Sequence, residues 1–246
     1  MKTSILCFLP VIFYILFVYL TLPKGTINLK KSLIYFSVGT LSVPLLLGFI
    51  KCFPCTQDFI RLDNPIFGGG FDDFLIFSFI QVALLEEFSK ITAFKLTDTF
   101  DKYYNPISTM FYCGISTLGF AFVENVKYAN LYGDQIILMR SFFSMFLHFL
   151  CGLLMGYWFG LSKLPSKTKN RSHFDTFIEK HKLLKTSFYM ITAVLFSMLL
   201  HGIFDFSLFT KSDLTDTFII VMCGTLSTYF CYLNLNTLYK KTKFIE

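Results

Sequence analysis

The chain has 246 residues, of which 54% are hydrophobic and 15% are charged, and its formal net charge is +6. A mean hydropathy of +0.59 excludes an ordinary soluble domain, in which charged side chains make up about a quarter of the composition. The positive charge does not indicate a nucleic-acid partner, because the basic residues lie in short loops between apolar runs, where they report membrane topology.

Apolar runs of membrane-spanning length recur along the whole chain. A helix needs about 20 predominantly apolar residues to cross the hydrocarbon of a bilayer. The sequence therefore predicts an all-α polytopic membrane protein, a bundle of about seven transmembrane helices forming one domain over residues 1–246. The predicted spans are 5–22, 33–53, 74–94, 107–128, 136–161, 184–209 and 217–239.

Charged residues in the loops predict the orientation of these spans. Lysine and arginine concentrate in the first, third and fifth connections and at the C-terminus, which all fall on one face. Because positive segments stay in the cytoplasm, we predict a multi-pass protein of the cell membrane with its N-terminus outside and its C-terminus cytoplasmic. The basic loop at 163–185 is predicted to lie against anionic lipid rather than to form a ligand site with His173 and His181.

Two other features, one in the second connection and one at the end of the span before it, have a simple interpretation. The run Gly68–Gly70 lacks the Lys-Ser/Thr of a phosphate-binding loop, so we expect a flexible connection. Cys52 and Cys55 form a lone CxxC, which cannot complete a tetrahedral zinc site without a second pair. We interpret them as two thiols at the membrane edge, with a disulfide or redox role as the alternative.

The third predicted span is unusual because Glu86, Glu87 and Lys90 interrupt an otherwise apolar run. A charged side chain near the bilayer centre costs about 2.5–3.5 kcal/mol on insertion scales. Lys90 is the i,i+4 neighbour of Glu86 and the i,i+3 neighbour of Glu87, so an ion pair can offset one carboxylate. The second carboxylate is left over, which indicates that this helix faces a protein interior or a water pocket.

Three other spans carry polar groups of the kinds that bind and activate water. Glu124 and Asn125 lie near the end of the fourth span, and His148 lies within the fifth. His201 and Asp205 are i,i+4 neighbours on the sixth span, where the carboxylate can fix the tautomer of the imidazole.

Structural interpretations of the same groups stay open. His148 could be a hydrogen-bonded packing residue, and Glu124 with Asn125 could be interfacial. Counting from the loops also separates the groups in depth, with the glutamate pair toward the cytoplasmic half and Glu124 and His201 toward the outer half, unless helix tilt closes the gap. The fifth span carries a glycine stripe that predicts close approach to a neighbouring helix. The stripe consists of Gly152, Gly156 and Gly160.

The order of four motifs resembles the PrsW family of membrane-embedded proteases, over about residues 74–209. The motifs are EExxK (Glu86, Glu87, Lys90), FxxxEN (Phe120, Glu124, Asn125), HxxxG (His148, Gly152) and HxxxD (His201, Asp205). That family is related to the type II CAAX prenyl endopeptidases and to the bacteriocin-immunity (ABI) membrane proteins. The resemblance implies site-specific proteolysis of a membrane-anchored, single-pass protein in signalling, typically an anti-sigma factor. The CAAX branch has His where this chain has Glu124, which argues against prenyl-protein processing.

A mechanism can also be written from the residues themselves. Two adjacent carboxylates in a low dielectric cannot both ionise easily, while Lys90 favours the ionised form of its partner. That division yields one base and one acid, as peptide hydrolysis requires. We hypothesise that Glu86 or Glu87 deprotonates a water that is held with help from His148.

The remaining groups would stabilise charge, and Glu124 is counted with them among the catalytic residues. His201, oriented by Asp205, and Asn125 would stabilise the tetrahedral oxyanion. No cofactor is assigned by this scheme. In a rival scheme, Glu87, His148 and His201 bind a zinc ion that activates the water, although the chain lacks an HExxH pair.

Two other classes of function fit part of the pattern. A seven-helix transporter could use the same acidic and imidazole groups to relay protons, but the sequence shows no inverted repeat. A non-catalytic protein of the ABI type would keep the fold without the chemistry. A retinal protein is disfavoured, because the seventh span has no lysine for a Schiff base.

Overall fold

The computed structural model describes residues 2–52, 71–98, 106–163, 182–210 and 214–243. All regular structure in these ranges is helical, which confirms the all-α prediction. The Gly68–Gly70 connection, Cys55 and the greater part of the basic loop, with His173 and His181, lie outside the described residues. The interpretations given for them stay predictions.

Nine α-helices and one π-helical segment follow one another in the described ranges. They are α1 (Lys2–Thr21), α2 (Leu29–Cys52), α3 (Phe71–Ile76), π1 (Phe77–Leu84), α4 (Leu85–Asp98), α5 (Pro106–Tyr132), α6 (Ile136–Phe142), α7 (Ser144–Lys163), α8 (Lys182–Phe209) and α9 (Leu214–Lys243). Since α3, π1 and α4 are continuous, and only Phe143 separates α6 from α7, these elements form seven helical rods that coincide with the seven predicted spans.

Five of the rods are long and apolar enough to cross a membrane by length and composition. These candidate spans are Leu29–Gly48, Pro106–Tyr132, Ile136–Ser162, Thr186–Phe209 and Asp216–Lys240. The chain is therefore a multi-pass membrane protein. A shorter apolar stretch, Leu6–Thr21, lies on α1, and the α3–π1–α4 rod is not among the candidates. Membrane crossing by these two rods, and the side on which each terminus lies, stay predictions.

Helix α5 forms the centre of the bundle, because it is the most buried rod and packs on both α2 and α7. Its contact with α2 depends on two glycines, one on each helix, that lie directly against the backbone of the other helix. A Cβ on Gly39 would collide with the carbonyl oxygen of Ser116, and one on Gly119 with the carbonyl oxygen of Phe36. Only hydrogen side chains allow this separation between helices.

The contact between α5 and α7 is the most extensive in the described chain and confirms the predicted role of the glycine stripe. A Cβ on Gly156 would lie 2.5 Å from Met110 Cα, and one on Gly160 would lie 2.9 Å from the Pro106 oxygen. Gly152 similarly meets Thr117 of α5. The α7 backbone therefore lies directly on α5, which brings the polar side chains of these two helices within contact distance.

The rod that carries the glutamate pair runs antiparallel to α8. The Phe77 and Phe209 rings lie 5.1 Å apart at one end, and a Cβ on Gly202 would lie 2.5 Å from the Phe79 ring. Hydrogen bonding of the i→i+5 type in π1 rotates α4 about the axis of the rod, relative to the position it would have if the rod were an uninterrupted α-helix. The start of α4 thereby presents Glu87 to the bundle interior, where its side chain is fully buried.

Candidate functional site

The glutamate pair of α4 meets a lysine from the same helix in the interior of the bundle. Lys90 Nζ donates to Glu87 Oε1 at 2.7 Å and to Glu86 Oε2 at 3.1 Å. Both i,i+3 and i,i+4 contacts are therefore present, because one ammonium contacts both carboxylates. Its single positive charge still balances only one of two negative charges. Lys90 Nζ also lies 4.1 Å from the centre of the Phe120 ring, whose negative face stabilises a cation.

His201 of α8 joins the same cluster from the opposite side. Its Nδ1 lies 2.7 Å from Glu87 Oε1, a closer contact than the 3.4 Å between Nε2 and Asp205 Oδ2. His201 Nε2 is also 3.9 Å from Glu86 Oε2. The predicted pairing with Asp205 is present, but Glu87 is the group that orients this ring. His201 Nε2 makes only these two longer contacts, to the carboxylates of Asp205 and Glu86, among the described residues.

His148 of α7 connects the glutamate pair to the third acidic residue. Lys90 Nζ lies 3.0 Å from His148 Nδ1, and His148 Nε2 lies 2.8 Å from Glu124 Oε2. Because an ammonium can only donate, Nδ1 accepts and Nε2 carries the hydrogen that it donates to Glu124. In this arrangement His148 has no nitrogen left for a water, which differs from the predicted role of holding one.

Arg140 of α6 completes the cluster, although it is not among the predicted site residues. Its Nη2 lies 2.8 Å from Glu124 Oε2, and its Nε donates to Asn125 Oδ1 at 2.8 Å. The guanidinium also lies 3.9 Å from the centre of the Tyr128 ring. The sequence does carry a signal for this role: Arg140 interrupts an apolar run, and a charged residue inside the membrane indicates a functional site by default.

Asn125 keeps one free donor after this contact. Its Oδ1 accepts from Arg140, whereas its Nδ2 is buried and has no hydrogen-bond partner among the described residues. A buried N–H without a partner is uncommon in native structures and is a candidate for binding a ligand. The position is therefore compatible with the predicted donor to an oxyanion.

All the predicted site residues thus lie in one connected network. Contacts run from Glu86 and Glu87 through Lys90 to His148 and Glu124, while His201 joins at Glu87. The separation in depth expected from counting the loops is wrong, since side chains from different rods touch. Four rods supply the residues, and each rod supplies at least one group that is buried to nine-tenths or more. Those groups are Glu87, Asn125, His148 and His201.

Part of this network is a candidate metal site. Donor atoms of Glu86, Glu87, His148 and His201 all lie within 4.8 Å of one another, so Glu86 joins the three residues of the predicted zinc scheme. Imidazole nitrogens with carboxylate oxygens are ligands that zinc accepts. Glu87 Oε2 is buried and unpaired among the described residues, so a ligand atom is available. The residues fit a divalent ion, but the Lys90 ammonium contacts three of the four donors and competes for them.

Comparisons with known proteins identify the family. A family model described as PrsW family intramembrane metalloprotease matches residues 29–233. The Protease PrsW of Oceanobacillus iheyensis is 32% identical over 149 residues, which are 59% of this chain and 60% of that protein. The Protease PrsW of Geobacillus kaustophilus is 29% identical over 136 residues, 54% of this chain and 52% of that protein.

The chain therefore matches between half and two thirds of the length of these curated relatives. No solved structure matches. The family match covers all four motif-bearing rods and continues to within α9. Because the family model matches more than half of its length, the chain belongs to the PrsW family.

Proposed function

We propose that the chain is a membrane-embedded peptidase that hydrolyses a peptide bond in a membrane-anchored protein. The observation that carries the proposal is the buried network in which Glu87, Lys90, His148 and His201 converge from three rods. A non-catalytic helix bundle gains little from burying two carboxylates against one ammonium, because desolvation of such charges commonly exceeds their attraction. Hydrolysis needs an acid and a base side by side in a dry site.

Glu86 is the better candidate for the base of the two glutamates. Its side chain is 14% exposed, whereas that of Glu87 is 0% exposed and is held by both Lys90 and His201. A water that enters from outside the bundle meets Glu86 first. Glu87 then acts as the buried anion that keeps Lys90 and the His201 ring in place.

Two donors are placed to stabilise the tetrahedral intermediate. Asn125 Nδ2 is buried without a partner in the described chain. His201 Nδ1 donates to Glu87, so Nε2, which has only long contacts to Asp205 and Glu86 among the described residues, is a donor when the ring is doubly protonated. A hydrogen bond that strengthens as negative charge develops lowers the barrier by about 2.7–4 kcal/mol per donor. Glu124 has an indirect part, since it accepts from His148 and so fixes that ring.

A zinc ion would be held by Glu87, His148 and His201 and would supply Lewis-acid activation of a water and of the substrate carbonyl. Glu86 remains the proton acceptor in that case as well. Exhaustive chelation of the purified protein separates the two schemes. Activity that survives chelation excludes the metal, and activity that is lost and then restored by zinc excludes the metal-free scheme.

The substrate and the orientation follow as part of the proposal. The family resemblance supports a single-pass membrane protein as substrate, cleaved at one site in a signalling pathway. The asymmetry of basic residues between loops supports a cytoplasmic C-terminus and an outer N-terminus. Reporter fusions at the two termini of the full chain would test the orientation directly.

The decisive experiment compares cleavage of tagged single-pass membrane proteins by the full chain and by two variants. We expect Glu86→Gln to abolish cleavage without loss of stability, and Glu87→Gln to abolish cleavage and to lower stability. Asp72→Asn is the matched control, because Asp72 is an exposed carboxylate on the same rod. Cleavage by both glutamine variants at the wild-type rate would refute the proposal.

A further inference from the structure

Two polar side chains of π1 are buried but satisfied by nothing in the described part of the chain. Gln81 is 7% exposed, and neither its amide oxygen nor its amide nitrogen has a hydrogen-bond partner there. The hydroxyl of Ser78, which is fully buried, also has none. Buried polar groups are nearly always paired in native structures, so each unpaired group needs an explanation.

The position of these groups places them next to the catalytic network. The α3–π1–α4 rod is antiparallel to α8, with Phe77 opposite Phe209 and Glu87 opposite His201. Gln81 lies between these two contacts along the rod, five residues before Glu86 on the same continuous rod. It is therefore close along the rod to the proposed base, and π1 packs against α8, which carries His201.

The local backbone is itself unusual. The π-helical segment spans eight residues, Phe77–Leu84, whereas most π-helical segments are single turns inside α-helices. Such segments occur frequently at functional sites. The wider turn holds Ser78, Gln81 and Ala83 as the buried face of π1, so the segment turns its polar side chains inward.

The chemistry of a membrane substrate supplies the missing partners. A peptide bond must leave its helix before it can be hydrolysed, and unwinding frees backbone N–H and C=O groups that find no water in hydrocarbon. Each freed group is unfavourable in hydrocarbon unless the enzyme pairs it. A primary amide offers a donor and an acceptor side by side, which complements the acceptor and donor of one extended peptide group.

We infer that Gln81, with Ser78, forms a subsite that binds the unwound main chain of the substrate next to the scissile bond. This inference rests on the proposed peptidase function and deepens it. The subsite recognises backbone and not side chains, so it contributes to rate on any sequence that can unwind. Gln81 is a binding residue in this scheme and takes no part in proton transfer.

The test uses the purified full chain and a synthetic substrate peptide in which peptide groups near the cleavage site are replaced, one at a time, by esters. An ester lacks the N–H that Gln81 would bind. For the wild type we expect one replacement to lower kcat/KM at least fivefold. In Gln81→Leu we expect kcat/KM to fall at least tenfold on the all-amide peptide, and the same ester replacement to have no further effect.

Stability provides a second readout. Because leucine fills a similar volume without polar atoms, Gln81→Leu should unfold at a midpoint no lower than that of the wild type. Gln135→Leu is the matched control, since Gln135 is exposed in the loop before α6 and donates only to the Tyr132 oxygen among the described residues. It should leave the ester profile unchanged.

Each outcome decides the matter. An ester profile in Gln81→Leu equal to that of the wild type, or a lower unfolding midpoint, would overturn the subsite while leaving the peptidase intact. If a buried water is the only partner of Gln81, the ester profile of Gln81→Leu will equal that of the wild type. A wild-type chain that cleaves no peptide overturns the proposed function, and the subsite with it.

Discussion

Replacing Arg140 by methionine removes the cation that connects α6 to the acidic end of the network. Arg140 and Glu124 have side chains that are 14% and 18% exposed, so their ion pair lies between the surface and fully buried cases. Breaking a surface pair costs about 0–1 kcal/mol, and breaking a buried pair costs about 3–5 kcal/mol. We therefore expect Arg140→Met to lower the free energy of unfolding by about 2 kcal/mol, with a further loss from its contact with the Tyr128 ring.

The same substitution should reduce cleavage indirectly. Arg140 and His148 both contact Glu124 Oε2, so removing the arginine frees the carboxylate that orients the imidazole. Losing a partner that orients a catalytic or ligating histidine costs about 10–100-fold in activity. We expect a decrease in that range, with kcat affected more than KM because Arg140 acts by orienting Glu124 and Asn125.

A double-mutant cycle in mixed micelles provides the assay. The unfolding free energies of Arg140→Met, Glu124→Gln and the double variant should show a coupling of about 1–2 kcal/mol, as contacting charged pairs do. Lys127→Met is the matched control, because Lys127 is an exposed cation on α5 near Glu124. Additive effects in the cycle, or equal damage from the control, would refute the reasoning.

Three further predictions follow from individual contacts. Gly39→Ala should lower the free energy of unfolding by more than about 2 kcal/mol, because the new Cβ collides with the α5 backbone. Gly48→Ala is the control and should be tolerated, because a Cβ there has nothing within 4 Å, and thermal unfolding compares the two variants. Lys90→Met should bind zinc more tightly than the wild type in a competition titration, because the ammonium no longer competes for three donors; unchanged affinity would show that those donors hold no metal. Tyr14→Phe should lower the unfolding free energy by about 1 kcal/mol, because the hydroxyl donates to the Ser141 oxygen at 2.9 Å across α1 and α6; no measurable loss in denaturant unfolding would contradict this.

The helical rods could be predicted closely from the sequence because apolar length alone decides them. The predicted span 107–128 lies inside α5, and the span 184–209 lies inside α8. Backbone groups in hydrocarbon must pair within their own segment, so an uninterrupted apolar run has few alternatives to a helix. The close approach of α7 to a neighbouring helix could also be predicted, because small residues at i+4 spacing lie on one face of a helix.

The convergence of the polar groups could not be predicted to the same degree. The run FSFIQVAL of π1 has an apolar composition that an α-helix would share, so the i→i+5 bonding and the resulting rotation of α4 are not visible in it. The interruption at Phe143 likewise separates α6 from α7 without a proline or glycine to mark it. Arg140 lies just before that interruption, so the sequence alone does not show that its side chain reaches Glu124.

The connection between Lys90 and His148 depends on side-chain length. Helix α4 packs mainly on α2 and α8, and the space between α4 and α7 is bridged by the extended stem of the lysine. A shorter side chain at position 90 would not reach from α4 to His148 on α7, even if it kept the positive charge. Aspartate in place of Glu87, one methylene shorter, would fall short of Lys90 and His201 together, so the length of this side chain matters as much as its charge.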